Sequence, residues 1–143
     1  MPLTRKRIIY DRSGENPYMI RHHLIFREKS EHLEKNVKVP FNAYIHKILL
    51  SDEPILHDHP WNWGTFIISG GYWEHTPEGT FWRGPGSWRT QKSTDLHWLE
   101  LNENKPCYTL FWHGARSRIW GFQTDDGWTD YRTFLQNRLE SRT

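Results

Sequence analysis

The stretch "LHDHPWNW", residues 56 to 63, places two histidines one residue apart with a carboxylate between them. On an extended backbone alternate side chains leave the same face, so His57 and His59 point together from α-carbons about 7 Å apart. Two imidazoles at that spacing can reach one ion, while Asp58 points the other way. A third candidate ligand is His97, in "STDLHWLEL", on a segment that also reads as a strand. Three neutral imidazoles converging from facing strands occupy one face of a tetrahedral or octahedral ion. The remaining positions are left to water or substrate, which permits Lewis-acid or oxygen chemistry. An H-x-H pair is permissive by itself, because a histidine serves equally well as a satisfied, partly buried residue.

The elements that must hold these side chains are strands. Glycine, proline, asparagine and aspartate recur roughly every eight to twelve residues, with short runs of Ile, Phe, Tyr, Trp and Thr between them. "YMIRHHLIF" (18 to 26) and "FNAYIHKILL" (41 to 50) read as strands, whereas the charged "EKSEHLEKNVKVP" (28 to 40) reads as a loop. "SGG" at 69 to 71 predicts a tight hairpin, since glycine tolerates positive φ. Further turns fall at "TPEGT" (76 to 80), "RGPGS" (83 to 87) and "TDDG" (124 to 127). "WRTQ", "DLHWLEL", "CYTLFWH" and "RIWGFQT" are four more strands, and residues 129–143 read as a short terminal helix. Roughly eight to eleven short strands need closure to hide their edges, which predicts an all-β jelly-roll barrel.

The chain of 143 residues fits one domain long enough to bury a core without staples. We divide it into a core at about 41–122, an N-terminal strand extension at 1–40 and the C-terminal helix. The single cysteine, Cys107, excludes an internal disulfide framework and is expected to be a small buried apolar residue. No apolar targeting segment and no membrane-spanning run is present, so a cytoplasmic location is the default. A net charge of +2 from interspersed charges gives no broad field for nucleic acid, and "RKR" at 5 to 7 reads as a solvated tail. Nine tryptophans and nine histidines in so short a chain mean that aromatic bulk fills much of the core. It can also wall a ligand pocket.

The pair "HDHPWNWGTFIISGGY" and "GPGSWRTQKSTDLHWLEL" resembles the two metal-site motifs of the cupin superfamily. There an H-x-H strand leads to a glycine turn, and a P-x-G turn leads to the strand bearing the last histidine. More narrowly, "LHDHPW", "SGGY", "LHWLEL", "TLFWHG" and "IWGFQTDDGW" look like a small single-domain cupin family of bacteria and their viruses. The resemblance implies an RmlC-like jelly roll, also called a double-stranded β-helix. It implies a divalent ion, Fe(II) foremost with Zn, Ni, Mn or Cu as alternatives, on His57, His59 and His97. The usual cupin pattern has a glutamate five residues after the second histidine, where this chain has Gly64. Three neutral ligands leave the ion its full charge, which favours a small polar or anionic substrate.

Other residues are weighed beside these. His46 shares strand parity with Tyr44 and Ile48 and is either an acid/base group near the site or a hydrogen-bonded strand-end histidine. In the cupin resemblance Arg89, after the "PGS" turn, looks inward and can hold a carboxylate or phosphate through two parallel bonds. Arg116 and Arg118 read as surface charges. Trp61, Trp63 and Trp98 wall a pocket or simply pack, and Trp120 and Trp128 form a clamp on the "TDDG" hairpin. His22, His23, His32, His75 and His113 have no partner at ligand spacing. Glu74 and Glu100 are the carboxylates nearest the motif strands, and Glu100 has the wrong parity relative to His97. Three functions compete: a non-haem Fe(II)-type oxygenase, a metal-free sugar-nucleotide isomerase or epimerase, and a small-ligand-binding module without turnover. A homodimer is expected, because cupins commonly pair through exposed sheet edges.

Overall fold

Between the glycine and proline turns, the β-branched and aromatic runs form eleven strands among the described residues, with a short 3-10 turn at Asn102–Asn104 and a C-terminal α-helix. A computed structural model describes residues 5–11, 13–24 and 41–141. In chain order these are β1 (Arg5–Tyr10), β2 (Pro17–His23), β3 (Phe41–Ile48), β4 (Trp63–Ser69), β5 (Tyr72–Thr76) and β6 (Gly79–Arg83). They continue with β7 (Trp88–Gln91), β8 (Trp98–Leu101), β9 (Cys107–Gly114), β10 (Gly121–Thr124), β11 (Gly127–Asp130) and the helix α1 (Tyr131–Ser141). The loop expected at 28 to 40 and His32 lie outside the described residues. No helix among the described residues is long and apolar enough to cross a membrane.

The strands form a six-stranded sheet in the order β1-β2-β3-β9-β4-β7, a three-stranded sheet β6-β5-β8 and the hairpin β10-β11, with every pairing antiparallel. Inward residues of the two larger sheets meet in a core of Ile48, Ile67, Tyr72, Leu101 and Cys107. Fully burying an apolar side chain of this size stabilises by roughly 1.5–3 kcal/mol. Cys107 is fully enclosed, as expected of a small apolar residue, and burial pushes its thiol up to about 11.

Two expectations about local structure change. "SGG" makes no hairpin, because β4 pairs with β7 and β9 while β5 pairs with β6 and β8. Gly70 and Gly71, at φ 86° and 119°, instead hand the chain from one sheet to the other, and a Cβ on Gly70 would strike the Pro106 carbonyl. "RKR" is no tail either. It opens β1, whose Ile8 and Ile9 pair with Ile20 and Met19 of β2. β2 in turn pairs with β3 of its own chain. The turns at 76–80 and 124–127 are hairpins as expected. The terminal helix begins at Tyr131, because Trp128 to Asp130 complete the β10-β11 ladder first.

The inner face of β3 and β9 is polar and aromatic. Tyr44 donates its hydroxyl to His113 Nε2 at 2.9 Å, and His113 Nδ1–H donates to the Gly114 carbonyl at 2.8 Å. His46 is stacked on Phe111 at 5.0 Å, and its Nε2 accepts a hydrogen bond of 3.0 Å from Arg21 Nε. Burial holds both imidazoles below their ordinary value. His46 lies well below it, helped by the charges of Arg21 and His23, and His113 falls to about 4. The unfolded chain therefore takes up protons near pH 6.5 that the folded chain refuses until about pH 4. Stability is full above pH 6.5 and declines as the pH falls toward 4. Thermal melts across that range should show the fall, on the order of 3 kcal/mol for His113. A His113→Gln variant should have a shallower pH slope.

Candidate metal centre

Residues 56 to 59 are held extended from both sides. His57 N–H donates to the His97 carbonyl at 2.9 Å and His97 N–H returns the bond to His57 at 3.0 Å. On the other side Asp58 N–H donates to Gly121 O at 3.0 Å and Gln123 N–H to Leu56 O at 2.8 Å. The strands expected to carry the histidines are thus narrower than the reading implied. His57 and His97 form an isolated bridge, and β8 starts one residue later.

The alternation along this segment separates two jobs. Asp58 is buried and faces away from the histidines. It accepts from Gly121 N–H at 2.7 Å and Trp128 Nε1–H at 2.9 Å, and pairs with Arg118 at 2.9 Å. Arg118 is therefore no surface charge; it also donates to the carbonyls of His59 and Ser93. Trp128 turns to Asp58 while Trp120 stacks on Tyr131 at 5.0 Å, so the expected clamp is instead two separate anchors.

On the opposite face His57, His59 and His97 converge. One ring nitrogen from each lies within 4.8 Å of the others, and no carboxylate joins them among the described residues. The ring centroids are 5.0–5.4 Å apart. Burial and the neighbouring His97 and His57 hold His59 well below the ordinary imidazole value, so its ring is neutral and has a lone pair. His59 Nδ1 is buried without a hydrogen-bond partner. A partly buried all-nitrogen donor set beside an orphaned ring nitrogen fits a divalent cation.

Sequence reasoning left Glu74 undecided, and the fold gives it a definite place. On β5 its side chain is buried and accepts from His97 Nδ1–H at 2.7 Å. Arg83 Nε reaches the other oxygen at 3.1 Å, and Arg89 pairs with that same oxygen. Burial alone would raise this carboxyl; the His97 bond and the Arg89 charge outweigh it and hold it below the usual range. The donated proton fixes the His97 tautomer, leaving Nε2 as the lone pair. The signal in the sequence was parity: Glu74 alternates with the core residue Tyr72. Its partner strand was not legible.

Arg89 lies in the wall of a second cavity of about 470 Å³ with Glu74, Arg83 and His97. The carboxylate it holds is the protein's own. The main cavity, about 800 Å³, is lined by the three histidines, His46, Trp61 and Trp63. Trp61 stacks on His113 at 4.2 Å and on His59 at 5.4 Å, and Trp63 packs on His59 and His97 at 5.0 and 5.1 Å. Trp98 is elsewhere, stacked on His75 at 3.7 Å, and His75 donates to Glu100 at 2.9 Å.

Gly64 is not an emptied ligand position. It pairs with Trp112 across β4 and β9, and a Cβ there would lie inside the Trp112 indole. The inward positions of β4 are its neighbours, Trp63 and Thr65, both buried in the main cavity wall.

No family model matches the chain, and no curated protein does. Solved structures do. A cupin-2 domain protein from Rhodospirillum rubrum aligns with 96% of this chain and 84% of its own at TM-score 0.65 and 12% identity. A cupin 2 conserved barrel domain protein from Rhodopseudomonas palustris covers 87% of this chain and 80% of its own at TM-score 0.62 and 15% identity. The Fe(II) form of HppE covers 76% of this chain and 56% of its own at TM-score 0.54 and 12% identity. The chain has the cupin fold, an antiparallel jelly roll closed by one short C-terminal helix.

Two substitutions probe this geometry. Glu74→Gln should weaken binding of Co(II) or Zn(II) about 10- to 100-fold in chelator competition, and an unchanged affinity would deny Glu74 its positioning role. Gly64→Ala should cost about 1–3 kcal/mol in denaturant unfolding by displacing Trp112.

Proposed function

We propose that the chain is a metal-dependent cupin enzyme, in which His57, His59 and His97 hold a divalent ion and a small polar or anionic substrate reacts beside it. The observation that carries this reading is the convergence of one ring nitrogen from each of His57, His59 and His97 on the wall of the main cavity, where His59 Nδ1 is also buried without a hydrogen-bond partner. A redox-active ion such as Fe(II) would supply oxygen chemistry there, and Zn(II) would supply Lewis acidity. The residues do the rest. Glu74 keeps the His97 proton on Nδ1, which presents Nε2 to the ion. Trp61 and Trp63 cover the histidines and limit water at the reacting face. Three imidazole ligands leave the ion's charge uncompensated, and two carboxylates of residues lining the cavity already have protein partners, Asp58 on Arg118 and Asp52 on Tyr18. An anionic substrate is therefore the favoured class.

His46 contributes a neutral ring to the same cavity, with Nε2 accepting from Arg21. Arg89 acts on the site through Glu74. The isomerase alternative calls for an arginine on the substrate phosphates, and that is the feature this chain's Arg89 least supports.

Metal analysis of protein purified without added metal, followed by Fe(II) reconstitution and oxygen uptake with a panel of small carboxylates and thiols, tests the reading. We expect about one equivalent of ion per chain, lost in His57→Ala, and substrate-dependent oxygen uptake lost with it. Stoichiometric metal with ligand binding but no turnover would instead make the protein a binding module. Absence of metal from wild type and from reconstituted protein would overturn the proposal.

A further inference from the structure

Two buried ring nitrogens have no hydrogen-bond partner, His59 Nδ1 in the trio itself and Nε1 of Trp63, whose ring packs on His59 and His97 and lines both cavities. They are chemically opposite. A neutral imidazole nitrogen can offer its lone pair to a cation, but an indole N–H is a donor only and cannot be satisfied by an ion. Leaving such a donor buried and unpaired costs on the order of 1–3 kcal/mol. Trp63 is 5% exposed and packs on His59, His97 and Phe111 at 5.0, 5.1 and 5.5 Å. Other polar groups of this wall are engaged, Tyr44 with His113 and Tyr72 with Thr65.

We propose that the Trp63 indole N–H donates to an oxyanion, such as a carboxylate, whose other oxygen lies on the ion held by His57, His59 and His97. This rests on the metal reading above and narrows it. The site selects ligands that carry a second acceptor atom next to the coordinating one. Trp63 is a specificity residue, and the inward position it occupies on β4 makes the bound group bidentate between ion and protein. A neutral monodentate ligand such as imidazole leaves the indole unpaired and gains nothing from it.

The test uses Co(II)-loaded protein, with the visible absorption of the ion read during titration with acetate and, separately, with imidazole. In Trp63→Phe the aromatic ring stays and the donor goes. We expect acetate to bind about tenfold more weakly to the variant, equivalent to about 1.4 kcal/mol, with imidazole affinity within about twofold of wild type. Equal acetate affinity in the two proteins would overturn the proposal while leaving the metal centre intact. Failure to bind Co(II) at all in equilibrium dialysis would sink both, and by a different readout. Should Trp63→Phe not fold, wild type decides. Of the nine indole N–H resonances in zinc-loaded protein, that of Trp63, assigned by its through-space contacts to His59, His97 and Phe111, should move on adding acetate. If it stays in place, the proposal fails.

Discussion

Two backbone hydrogen bonds, exchanged between His57 and His97, are what the candidate centre depends on. They join a segment with no strand of its own to the residue just before β8, and so fix the distance between the first and last candidate ligands before any side chain is considered. A bridge of two residues is weak alone. Its strength comes from behind, where Asp58 ties the same segment to Gly121, Trp128 and Arg118. A buried carboxylate is costly unless its charge and lone pairs are met. Here three donors meet it, which turns a residue between two histidines into the anchor that aims them.

Charge is arranged around the trio with similar care for compensation. Glu74 sits against His97 with two arginines on its far side, so the carboxylate fixes a proton on the ring without leaving a net negative charge beside the ligands. The inner site is then built from imidazole rings alone, with no carboxylate joining them among the described residues. With that composition the charge of an ion held there would be the dominant local field. It also explains why the aromatic residues matter, since indole and phenyl walls do nothing to screen it.

Most of the fold was legible from turn chemistry and strand length. Each of the strands expected between residues 41 and 122 corresponds to an observed strand, bar the segment at His57, because glycine and proline mark sheet ends almost independently of tertiary context. The sheet to which a strand belongs was not so marked. "SGG" reads identically as a hairpin and as a passage between sheets, and only the partners of β4 and β5 distinguish them. The H-x-H parity correctly separated Asp58 from its neighbours. Counting along a family pattern, by contrast, put the missing carboxylate at Gly64, whereas strand parity sets positions 63 and 65 facing inward. The Glu74–His97 bond and the partners of Arg118 depend on cross-strand register, which one sequence does not carry. "RKR" misled because its basic residues are followed by Ile8 and Ile9, whose pairing to β2 outweighs the solvation of the charges.

The segment at residue 57 is bonded to residue 97 and to residues 121–123, separations that close only once the chain extends through β10. Contacts so far apart in sequence form late, after the local hairpins have paid their smaller entropy. A nascent or truncated polypeptide lacking β10 and β11 therefore lacks the backing for its histidines, however well the two larger sheets have collapsed. If the trio holds an ion as proposed, its capture would wait for these contacts to close, and the loose intermediates that precede them would be spared the scavenging of stray transition metals.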